Sequence, residues 1–153
     1  DKISIATSGK TRTITPELIE YYVGISKEYN NFELLTALIR RDAARAYRIA
    51  LYFASDERNH PIQMTLSTLF GFFSNLMAVY YIDQPNERSI ASLLGVQPFV
   101  ARDYDLARRG YSAAQAFAII HQIRLIDAYS KGVDANIPTS QLYSELVSRI
   151  LAA

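Results

Sequence analysis

The residues with the most recognisable chemistry stand near the start, where Ser8-Gly9-Lys10-Thr11 has the ending of a phosphate-binding loop. In such a loop backbone amides wrap the phosphates, the lysine neutralises them and the hydroxyl holds magnesium. The motif therefore needs an earlier glycine at a fixed spacing and a helix directly after the threonine. Neither is present: Ser4 occupies the glycine position, and the next helix signal waits until Pro16. The stretch reads as a turn. Histidine offers little more. His60 precedes Pro61 and is placed to cap a helix, while His121 has no carboxylate, serine or second histidine at the spacing of a catalytic pair or metal site. With no cysteine there is no thiolate nucleophile and no thiolate metal site. No nucleophile stands beside a base and no acid pair shares a helical face, so the chain is expected to hold no catalytic site and to need no cofactor or metal.

Two further patterns carry weight. Ile90 to Leu94, then Gly95-Val96-Gln97, then Pro98-Phe99-Val100 describes two short helices joined by a glycine turn, the outline of a DNA-binding helix-turn-helix. A reading helix should present Arg, Lys, Asn, Gln or Ser to base edges, and this one presents Arg102 beside Asp103 and Asp105, two carboxylates that a phosphate backbone repels. A structural hairpin is the simpler expectation, and a DNA-reading regulator is the alternative. Asp127 is the second pattern, because it continues the apolar line Ala116, Ile120, Ile123 along one helix. Lys131, one turn later, and Arg124, three residues earlier, are the nearby partners, and an acid four residues before a lysine is the favourable orientation for an ion pair. That pair could simply close the helix, or it could mark a subunit or DNA contact.

These side chains must be carried by helices. The chain has 153 residues, half of them hydrophobic, enough for one ordinary core. Lysine plus arginine number 16 against 15 acids, so no global field draws the molecule to nucleic acid or an anionic membrane, and any DNA contact must be local. Lys2 to Ile5 alternates like a short strand, and Thr15-Pro16 opens a short helix that Gly24 closes. Asn31 is expected to cap a helix from Phe32 to about Arg40, and Asp42 to cap one bearing Ala43, Ala46, Tyr47, Ala50, Leu51 and Ala54, with Arg45 and Arg48 on a solvated face. Pro61 to Ile82 lacks any charge and is long enough to span a bilayer. Its polar residues, Gln63, Thr65, Ser67, Thr68, Ser74 and Asn75, favour a helix enclosed by protein instead, with Ile62, Leu66, Leu69, Phe70, Phe73, Met77, Tyr80 and Tyr81 on one side and Phe72, Leu76 and Val79 widening the arc. Either it is the central core helix or it lends a face to another subunit. Helices over Glu87 to Leu94 and Pro98 to about Arg108 follow. Ser112 and Gln115 form a capping box for Ala113 to Lys131, and Ser140 is the expected cap of a last helix facing Leu142, Leu146, Val147, Ile150 and Leu151 inward.

The order of these pieces resembles the delta-subunit family of the bacterial DNA polymerase III clamp loader. Ile14-Thr15-Pro16-Glu17-Leu18-Ile19-Glu20 is similar to the last helix of that family's lid domain, and Asn31-Phe32-Glu33-Leu34-Leu35 to the start of its collar. Leu94-Gly95-Val96-Gln97-Pro98-Phe99, with Tyr104, Ala107-Arg108 and Tyr111-Ser112, resembles its middle signature, and Asp127 with Lys131 its late acid-and-lysine pair. The resemblance implies an all-α helical bundle, the collar, over residues 29–153, preceded in residues 1–28 by the end of an AAA+-like lid domain and a linker, and hence a piece of a longer bacterial cytoplasmic protein. It implies gamma or tau and delta-prime as collar partners. The sliding clamp would be bound by a preceding region, and primed DNA would be met in the assembled complex. ATP hydrolysis falls to the partners, and the parent holoenzyme is a DNA-directed DNA polymerase. On this reading Phe70, Phe73, Tyr80 and Tyr81 divide between core and subunit contacts, and Tyr129 and Lys131 lie near template DNA.

Overall fold

The computed structural model describes residues 28–153, which form seven helices: α1 Asn31–Ile39, α2 Ala43–Ala54, α3 Ile62–Val79, α4 Glu87–Leu94, α5 Pro98–Gly110, α6 Ala113–Ser130 and α7 Thr139–Leu151. No strand occurs among the described residues, so the fold is an all-α bundle. The expected strand at Lys2–Ile5, the helix after Pro16 and the turn at Ser8–Thr11 lie outside them.

Local chemistry starts most of these helices. Asp42 accepts the amide of Arg45 at the head of α2. Asn86 with Ser89 and Ser112 with Gln115 form reciprocal capping boxes on α4 and α6, each satisfying amides that the first turn leaves without partners. Three expected caps are corrected. Asn30, not Asn31, caps α1, exchanging bonds with Glu33, while Asn31 Oδ1 accepts the hydroxyl of Thr65 at 2.7 Å. The last helix begins one residue before Ser140, behind Pro138, with no side-chain cap. His60 likewise caps nothing: α3 starts behind Pro61, and the His60 ring stacks on Phe53 with centroids 4.6 Å apart.

Short α1 is a hub. Five of its nine residues, Leu34, Leu35, Ala37, Leu38 and Ile39, are buried, and it packs on α2, α3, α5 and α7. Around it α2 lies on α7 and α3 on α6, while α4 and α5 pair as a hairpin turned by Gly95, whose φ of 67° suits a residue without a side chain. Polar bonds fasten the helices across long sequence distances. Tyr111 is buried, and its hydroxyl donates 2.5 Å to the Leu38 carbonyl. Tyr143 bonds the His60 carbonyl, Tyr80 donates 2.7 Å to the Tyr111 carbonyl, and Asn75 donates 3.2 Å to the Tyr104 hydroxyl. Burial raises the pKa of Tyr80 to about 12 against the pull of the Arg108 guanidinium. Burial, with help from Glu57, does the same for Tyr143.

The buried side of α3 is Ile62, Thr65, Leu66, Leu69, Phe72, Phe73, Leu76 and Val79. The expected inward line was therefore rotated: Phe72, Leu76 and Val79 are core, and Phe70 and Met77 are only half-buried. This helix is long and apolar enough to cross a membrane, yet Thr65 and Asn75 spend their polar groups on α1 and α5, as in a bundle.

Candidate functional site

What the core leaves uncovered on α3 lies beside α6. Helix α6 turns Ala116, Ile119, Ile123 and Ile126 inward, so the residues between them, Phe117, His121 and Arg124, face out. With Phe70 and Met77 of α3 they line two adjoining hollows of about 420 and 240 Å³ that share Phe70 and Arg124. The Arg124 guanidinium stands over the Phe70 ring at 5.5 Å and meets no carboxylate within 4.0 Å among the described residues. The face is thus largely apolar, edged by Arg124, His121 and, in the smaller hollow, Asp127, whose carboxylate is paired with Lys131. No group of three or more histidines or acids that could hold a metal occurs among the described residues.

The four aromatic residues singled out in sequence divide sharply. Phe73 is fully buried against Phe72 and Tyr111, so it is a core residue rather than contact surface. Tyr80 is mostly committed through its bond to Tyr111. Phe70 keeps one side open, and Tyr81, 89 % exposed, projects from the end of α3. Lys131 Nζ lies 2.9 Å from Asp127 Oδ2; their side chains are 60 % and 40 % exposed, so Asp127 sits on the rim and not in the core. Tyr129, expected with Lys131 near template DNA, is covered on one face by the Arg149 guanidinium at 5.3 Å.

In the α4–α5 hairpin the three arginines of α5 are engaged with acids. Arg102 pairs with Glu87 at 3.6 Å, and buried Asp105 takes Arg108 at 2.8 Å and Arg109 at 2.6 Å. Sequence reading counted Asp105 as a deterrent to DNA; its partners three and four residues on show why it tolerates burial. Arg45 is similarly held, by Glu33 at 3.2 Å and over the Tyr29 ring.

Sequence reading missed a second concavity. Phe32 and Leu35 of α1, Gly71 and Phe72 of α3, and Phe99 and Asp103 of α5 line a groove of about 600 Å³. The i, i+3 relation of Phe32 and Leu35 was legible, but that α5 would lie opposite was not. Fold and surface together define a helical bundle with apolar faces beyond its core. No family model, curated protein or solved structure matches the chain.

Proposed function

We propose that residues 29–153 are the collar domain of a clamp-loader delta subunit, a cytoplasmic bacterial protein that works by docking to related collars of gamma or tau and delta-prime. The assembled loader would open the sliding clamp and place it on primed DNA, with ATP hydrolysis supplied by the partners and clamp contact by a region preceding the collar. One observation carries the reading: the α3–α6 face keeps Phe70, Met77 and Ile120 only part-buried against the core and Phe117 exposed. Apolar surface that outlasts its own core is what an assembly interface needs, and aromatic residues supply its strongest anchors.

Co-purification with gamma or tau and delta-prime tests it. Tyr81→Glu and Phe70→Glu should each prevent the complete ring from forming by severing one neighbour, while the far-ultraviolet circular dichroism of the isolated chain stays unchanged. Intact assembly across both variants overturns this face as the contact. Tight salt-sensitive binding of duplex DNA by the isolated chain, without capture of the partners, would favour a helix-turn-helix regulator.

A further inference from the structure

Gly71 lies in the middle of α3, where glycine is about 1 kcal/mol less favourable than alanine. Its φ is not in the left-handed region, and a methyl group built there meets nothing within 4 Å, so nothing among the described residues requires the missing side chain. The space it leaves open is the floor of the α1–α3–α5 groove. A glycine that costs its helix stability and serves no contact there is suited to the close approach of another backbone or side chain.

The walls say what kind of chain. Phe32 and Phe99 are 71 % and 67 % exposed on either side, so only a body broad enough to span the groove would dry both rings. A small molecule on the floor would leave them wet. Asp103 supplies the charge. It is half-buried and has no cation within 4.0 Å among the described residues, since Arg102 turns to Glu87. Burial raises its carboxyl pKa, and the more distant Arg40 and Arg102 offset this only in part. A carboxylate in that state gains from a lysine or arginine brought against it.

We propose that this groove docks a helix of a neighbouring subunit, which sets an apolar side chain over Gly71 between Phe32 and Phe99 and reaches Asp103 with a lysine or arginine. The neighbour's identity rests on the collar reading; the place and the chemistry rest on the groove.

The test uses the full chain mixed with gamma or tau and delta-prime, with Gly71→Leu and Asp103→Asn as variants. Leucine raises helix propensity and fills the floor, so Gly71→Leu should melt at or above the wild-type temperature yet bind on the order of tenfold or more weakly. Asp103→Asn should weaken binding by about fivefold and flatten its salt dependence. If the wild type assembles and both variants assemble equally well, the groove is not a docking site and the collar reading stands. A lower melting temperature for Gly71→Leu would show that the fold itself needs the glycine, and would also overturn the proposal. Should the wild type fail to assemble, the collar reading falls and the neighbour named here falls with it.

Discussion

Arg41 should be the single exposed side chain whose loss most weakens the bundle. It is the corner between α1 and α2 and adopts a left-handed backbone, φ 56°, that an L-residue holds at roughly 1 kcal/mol. From that corner its guanidinium donates 3.3 Å to the Gly110 carbonyl and 3.0 Å to the Leu151 carbonyl, at the ends of α5 and α7, and lies 4.5 Å from the Tyr111 ring centroid. A cation at two helix C-termini answers both dipoles. Discounted for solvent, the two bonds contribute about 0.5 to 1 kcal/mol each and the ring contact about 0.5 kcal/mol. Arg41→Ala keeps the backbone strain and loses the contacts, a cost of about 2 kcal/mol. Arg41→Gly loses the same contacts but relieves the strain, so it should cost about 1 kcal/mol. Urea unfolding followed by circular dichroism at constant m-value separates the two, and in thermal melts they should differ by about 4 °C. Alanine as stable as wild type would show that the guanidinium contributes nothing. Glycine less stable than alanine would show that the corner is not strained.

Alkali should destabilise the fold through its buried tyrosines. Tyr80 and Tyr143 ionise at about 12 when folded but near 10 when unfolded, so the unfolded chain releases its protons first. Stability should be fully present below about pH 10 and fall as pH rises from 10 towards 12. The urea midpoint measured across that window reads the loss, and Tyr80→Phe should flatten the slope; a flat wild-type profile would contradict the assignment. Lys131→Ala removes a half-exposed i,i+4 pair and should cost only about 0.3 to 0.5 kcal/mol. On the collar reading, the same variant in the assembled loader should lower the salt dependence of primed-DNA affinity by about one unit of slope, and an unchanged slope would place Lys131 away from DNA.

Where structure is decided locally, it was legible. Asp42, Ser112 with Gln115, and Gly95 each act within a turn of themselves, and each stands where its residue type predicts. Adjacent Asn30 and Asn31 could not be told apart that way. The choice was made by Thr65, thirty-four positions away, which occupies Asn31 and leaves Asn30 to cap. On α3 the apolar residues run too far round the helix for periodicity to select a face. The core took Phe72 and Leu76, where Phe72 stacks on Tyr104 at 4.3 Å, and that contact belongs to α5. Nothing in the sequence marked Arg41 either, because a left-handed corner is usually signalled by glycine or asparagine.

On the collar reading the two concavities answer a geometric demand. A heterologous ring requires each inner member to offer two dissimilar faces, one to each neighbour, whereas a single self-complementary face stops at a dimer. The hollows beside α6 and the groove beside α5 flank the same helix, with Ser67 lining both. One is edged by Arg124 beside the Lys131-paired Asp127 and the other by the carboxylate of Asp103, unpaired among the described residues, so the two faces are chemically dissimilar. Gly71 belongs to the groove alone. Substituting it should therefore sever one neighbour and spare the other, while Phe70→Glu should do the reverse; a loader that loses both neighbours on either change would mean that the two faces act as one.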